Sequence, residues 1–94
     1  MLFADFEASL ASAKPPQTLS PVLAALWLDR KGDFDQAHAI AQEIAGPEGA
    51  RIHAYLHRKE GDAPNARYWY RRAGAEMPED SLEAEWENLV RSSL

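Results

Sequence analysis

The chain reads as an all-α protein of about six helices, and three features of its 94 residues carry that reading. Apolar side chains recur at three- and four-residue spacing along most of its length, with no run of strict alternation that would make a strand. Helix-stopping and helix-starting residues punctuate the periodic runs. The stretch Gly32-Asp33-Phe34-Asp35-Gln36-Ala37 returns as Gly61-Asp62-Ala63-Pro64-Asn65-Ala66, 29 residues further on. Each copy lies between two helix-like runs, so the repeating unit is a pair of helices about a Gly-Asp corner. Units of that kind cannot bury their apolar faces alone, and they stack.

Leu2, Phe3, Phe6 and Leu10 fall on one face and predict an amphipathic N-terminal helix within residues 1–13. Lys14-Pro15-Pro16 ends it, because proline lacks the amide donor and restricts the residue before it. Ser20 is a good N-cap and Pro21 suits the first helical position, so a second helix starts there with Val22, Leu23, Leu26, Trp27 and Leu28 as its apolar face. Gly32 stops that helix. Asp33 with Gln36 forms a capping-box pattern for the third, whose buried stripe is Phe34, Ala37, Ile40, Ala41 and Ile44. Gly46-Pro47 is a very short turn, so a fourth helix over about residues 47–60 runs antiparallel to the third. Asp62 caps the fifth, with Ala63, Ala66, Tyr70 and Ala73 in register, and Gly74 and Pro78 close it. Asp80 with Glu83 repeats the capping-box pattern ahead of Leu82, Trp86, Leu89 and Val90. The expected organisation is a single helical domain, 1–94. It comprises a first hairpin (20–45), a second hairpin (47–74), the N-terminal helix and a C-terminal helix (80–92), the terminal helices acting as caps. The first helix either covers Val22 and Leu26 of its own chain or pairs with a second copy, so monomer and homodimer both stand as expectations.

Ala25, Ala37, Ala54 and Ala66 let the helices of each hairpin approach closely, while Trp27, Ile44 and Tyr70 fill the space beside them. With Gly32, Asp33, Ala37, Gly61, Asp62, Ala66, Ala73 and Pro78 in place, residues 20–78 resemble the tetratricopeptide repeat. The period is shorter than the usual roughly 34 residues, and the first helices lack the full aromatic and Leu-Gly signature. The segment from His53 to Gly74 is also similar to a family of small bacterial proteins with no assigned activity. That resemblance implies a single helical domain and nothing about chemistry.

Cysteine is absent, which rules out disulfides and thiolate metal sites. The N-terminus has acids where a signal peptide would be apolar, and the longest apolar run, Val22 to Leu28, falls far short of the roughly 20 residues of a membrane span. The expectation is a cytoplasmic protein without a membrane role. The net charge of −5 is unevenly spread: residues 51–72 hold six basic and two acidic side chains, and residues 73–94 one basic and six acidic. Either the acidic tail pairs with the basic middle, or the middle is a patch for an anionic partner.

Two clusters are candidates for function. Arg67-Tyr68-Trp69-Tyr70-Arg71-Arg72 sets guanidinium groups beside aromatic planes, a combination that holds anions. With Tyr55 and Arg58, the residues Arg67, Tyr68, Arg71 and Arg72 form the expected binding surface of a protein-interaction or adaptor module, its partner an acidic peptide. Overall acidity and the lack of any nucleic-acid motif weigh against nucleic acid. The second cluster is His53, His57, Glu60 and Tyr70, a small-molecule site in which Glu60 orients His57 as a general base. His53 and His57 share a face at i, i+4, and level-counting across the turn brings His38 beside them, a set that could ligate a metal. The phase of the repeat argues the other way, putting His38 in the preceding hairpin and His53 level with Tyr70. On that reading the histidines are satisfied structurally, by a His53–Tyr70 hydrogen bond, and no metal or cofactor is expected. There is no phosphate loop, no His-Glu-x-x-His and no nucleophile elbow, so a binding role is favoured over an enzymatic one.

Overall fold

The computed structural model describes residues 1–94 as six α-helices and no strands. They are α1 (Phe3–Ser9), α2 (Pro21–Arg30), α3 (Phe34–Glu43), α4 (Gly46–Lys59), α5 (Ala63–Arg72) and α6 (Leu82–Ser93). No helix is long and apolar enough to cross a membrane.

The two corners are near copies. Gly32 and Gly61 both adopt φ +88°, a left-handed conformation open to glycine at low cost. Asp33 and Asp62 follow with (φ, ψ) of (−96°, 74°) and (−94°, 76°), and their carboxylates accept from the amides of Gln36 and Asn65. Ser20 caps α2 as expected, accepting from the Leu23 amide at 3.3 Å. The cap of α6 is Ser81 rather than Asp80: its Oγ accepts from the Ala84 amide at 3.0 Å. Glu83 is not folded back on the cap, because it forms a two-point ion pair with Arg30 at 2.8 and 2.9 Å. The N-terminal helix is shorter than its periodicity predicts, since the Ser9 hydroxyl turns back onto the Phe6 carbonyl and also accepts from the Trp27 indole.

α2 packs on α3 and α4 on α5 as two hairpins, and α3 against α4 joins them. Ala25, Ala37, Ala54 and Ala66 are all buried where the helices meet. The Lys59 ammonium at the end of α4 donates to Asp29 at the end of α2 (2.7 Å), which sets both Gly-Asp corners at one end of the molecule. α1 and α6 cap the pairs, and both settle on the same side. α6 does not extend the row beyond α5; it lies across α2 and α4, with Trp86, Leu89 and Val90 buried and the Trp86 indole donating to the Leu26 carbonyl at 3.0 Å. Phe6 of α1 is fully buried, 5.9 Å from the Trp86 ring.

The α3–α4 turn has a requirement that the sequence pattern does not advertise. A Cβ on Gly49, in the first turns of α4, would fall inside the backbone carbonyl of Ile44, which cannot swing aside. A Cβ on Gly61 would meet nothing. Thermal melts should therefore separate two glycine replacements: Gly61→Ala loses about 1 kcal/mol for the left-handed backbone alone, and Gly49→Ala about 3 kcal/mol because the turn must open. Equal losses would show that the close approach at Gly49 is not felt.

Candidate functional site

α4 touches α2, α3, α5 and α6, so nearly all of its side chains have been claimed by one neighbour or another. Its Tyr55 and Leu56 side faces α2 and α6. Tyr55, expected on the binding surface, is instead buried (3 % exposed), and its hydroxyl donates to the buried Asp29 carboxylate at 2.9 Å. Arg58, also expected there, reaches inward. It donates to Glu85 of α6 at 2.7 Å and to the Asp80 carbonyl. Glu85 is 1 % exposed and further accepts from the Tyr70 hydroxyl at 2.5 Å, with Arg51 at 3.5 Å. Two residues thus leave the expected surface for one physical reason: an arginine and a tyrosine beside a buried carboxylate lower their energy more by satisfying it than by facing water.

Tyr70 likewise does not join the histidines. No His53–Tyr70 hydrogen bond exists, because the Tyr70 hydroxyl is turned to α6. Burial and the Glu85 hydrogen bond hold Tyr70 well above the ordinary phenol range, and burial with Asp29 does the same for Tyr55. Both stay protonated as hydrogen-bond donors.

On the opposite side of α4, His53 and His57 lie one helical turn apart with their rings stacked at 4.8 Å. His38 of α3 does stand beside them, contrary to the expectation drawn from the phase of the repeat. Its Nε2 is 2.9 Å from Nε2 of His53, and its ring is nearly perpendicular to both others. Level-counting across the short turn is the better guide here, because Gly46 lets α4 fold straight back along α3. The place expected for Tyr70 against His53 is taken by Trp69, whose ring stacks on the imidazole at 4.0 Å and 13°. His57 Nδ1 lies 2.6 Å from Glu60 Oε1, as the sequence spacing suggests. His53 is pushed down to about 4, chiefly by burial and then by the neighbouring imidazoles of His38 and His57, with Glu60 acting weakly against them. At neutral pH it is therefore uncharged.

On α5, the arginines Arg67, Arg71 and Arg72 are exposed and none has a carboxylate partner. Arg72 donates to the Tyr68 hydroxyl at 3.2 Å and leans over the rings of Tyr68 and Trp69. A cleft of about 520 Å³ opens between the end of α3, the start of α4 and this part of α5, with Gln42, Gly49, His53, Trp69 and Arg72 among its walls. Arg67 and Arg71 border a smaller cleft, about 340 Å³, with Met77. Trp69 joins both the histidine cluster and the arginine face, a role the sequence hinted at only by its place between Tyr68 and Tyr70. No known protein family, curated protein or solved structure matches this chain.

Two outcomes follow. Glu85→Ala strands Arg58 and the Tyr70 hydroxyl, and chemical denaturation should register a loss of about 3 kcal/mol; an unchanged midpoint would mean that the carboxylate contributes nothing net. For His53, an unfolded imidazole takes up its proton near pH 6.5 whereas the folded one resists until about pH 4. Protonation therefore favours unfolding, and the His53 contribution is intact above pH 6.5 and lost as the pH falls towards 4. In that window the thermal midpoint of His53→Gln should fall less steeply than that of the parent; parallel curves would exclude the effect.

Proposed function

We propose that the protein is a protein-interaction module whose α5 face receives an acidic peptide segment. The observation that carries this reading is the set Arg67, Arg71 and Arg72: three exposed guanidinium groups without a carboxylate partner, in a chain of net charge −5 that has paired its half-buried Arg51 and Arg58 internally. Arg67 and Arg71 lie on one side of α5, with Tyr68 and Arg72 on the other, so carboxylates spaced along an extended or helical segment could be held from two sides. Tyr68 is 44 % exposed and adds a flat apolar contact beside the charges. The groove that the first helices of two stacked hairpins would otherwise present is filled by α6, which leaves the α5 side as the free surface. The resemblance to tetratricopeptide hairpins agrees with a binding role.

A second reading, a small molecule in the α3–α4–α5 cleft, is favoured by His53, Trp69 and Arg72 meeting at its wall. Of the residues expected at such a site only His53 lines this cleft; His57 and Glu60 lie outside its walls, paired with each other, and Tyr70 is turned to α6.

The two are separated by titrating a fluorescent poly-glutamate peptide into the protein at several salt concentrations. Binding should weaken as salt rises. Arg67→Glu combined with Arg71→Glu, neither of which lines the α3–α4–α5 cleft, should reduce affinity at least about fivefold, near 1 kcal/mol. Binding that ignores both the salt and the double replacement would dismiss the α5 face.

A further inference from the structure

The histidine cluster makes no contribution to that peptide reading, and it has a geometry of its own. We propose that His38, His53 and His57 form a three-imidazole site for a divalent late first-row transition ion of the Zn²⁺ or Ni²⁺ kind. One ligand atom from each ring lies within 4.8 Å of the other two, across two different helices. Neutral imidazole is a preferred donor for these ions, and the absence of cysteine leaves nitrogen as the site's softest ligand.

The surroundings are those such a site needs. His57 directs Nδ1 to Glu60 at 2.6 Å, so Nε2 is the nitrogen left to bind, and it has no hydrogen bond from the protein. A carboxylate behind a ligating imidazole fixes its tautomer and raises its basicity. His38 turns Nε2 to the cluster while its Nδ1 accepts from the Gln42 amide nitrogen at 3.4 Å, so the amide must turn over and accept from Nδ1–H before Nε2 can ligate. Rotation of the Gln42 amide lets it serve either tautomer of His38. Entry is open as well: His53 borders the α3–α4–α5 cleft, and His38 is only half-buried. The i, i+4 pair on α4 supplies two ligands from one rigid helix, and the short Gly46-Pro47 turn holds the third at the same height.

Binding requires a small, defined movement. Two nitrogens on one tetrahedral ion at about 2.0–2.1 Å lie roughly 3.3 Å apart, whereas the His38 and His53 nitrogens are now 2.9 Å apart. An ion also sits in the plane of each ligating ring, so the stacked rings of His53 and His57, 16° from parallel, must tilt towards each other. That tilt lifts His53 off the Trp69 indole, against which it is stacked at 4.0 Å. Trp69 is therefore a built-in optical reporter. The fourth position of the ion is left for water or an anion from the cleft.

The test uses the full chain, made without an affinity tag and stripped with a chelator. It is titrated separately with Zn²⁺ and Ni²⁺, followed by calorimetry and by tryptophan emission. The expected result is one ion per chain with micromolar or tighter affinity, accompanied by an emission change that Trp69→Phe abolishes while the calorimetric signal remains. His38→Ala, at a half-buried position and checked for native helicity by circular dichroism, should weaken binding at least tenfold. Glu60→Gln should weaken it roughly tenfold at unchanged stoichiometry, the range expected for a group that orients a ligand. Absence of stoichiometric binding by the parent protein at millimolar ion overturns the proposal. So does binding that is the same in the natively helical His38→Ala protein, which would place the ion on the acidic surface. The poly-glutamate titration uses other side chains, so the failure of either experiment leaves the other interpretable.

Discussion

Glu85 is the carboxylate around which this small protein is organised. It sits on α6, is almost wholly removed from water, and is met by Arg58 from α4 and by Tyr70 from α5, with Arg51 nearby. A buried carboxylate is costly unless its oxygens are satisfied by well-placed donors, and here both oxygens are. The arrangement pins α6 across the hairpins rather than beyond them. Once pinned, α6 adds the Arg30–Glu83 ion pair and lays the Trp86 ring beneath the Arg30 guanidinium, 3.7 Å away. The Asp29 carboxylate plays a similar part at the corner end, where Tyr55 and Lys59 converge on it.

This organisation divides α4 into two faces with different duties. One face carries the apolar core and the donors for Asp29 and Glu85. The other carries His53 and His57 and meets His38 and Trp69. The division also decides which basic side chains are left unpaired. Charge complementarity between the basic middle and the acidic tail is real, and it consumes Arg51 and Arg58. The arginines of α5 are left unpaired by it: Glu76 shares a cleft with Arg67 and Arg71 without forming an ion pair, and α6 turns towards α2 and not along α5. An internal pairing and a free basic surface therefore coexist in one chain.

Much of the fold was legible beforehand because the signals are local. A Gly-Asp corner needs only a left-handed glycine and an aspartate that reaches the amide three residues on, and both copies adopt nearly the same dihedrals. Helix periodicity and the proline stops likewise act over a few residues. The α6 cap shows where that logic ends. Asp80 and Glu83 fit a capping box as well as Ser81 fits its own role, and Arg30, fifty-three residues away, decided the matter by taking Glu83. Gly49 is similar: it looks like an ordinary helix residue until the turn before it brings the Ile44 carbonyl against it.

The candidate sites divide along the same line. That Arg67, Tyr68, Arg71 and Arg72 share one short helix, and that His53 and His57 share a face, follows from 3.6 residues per turn alone. Which of the nearby long side chains stay free does not. Tyr55, Arg58 and Tyr70 have enough reach to serve either the surface or the interior, and the burial of two carboxylates drew them inward. His38 joined the other imidazoles because a match in height across a glycine turn is a property of two packed helices, set by how α3 and α4 meet.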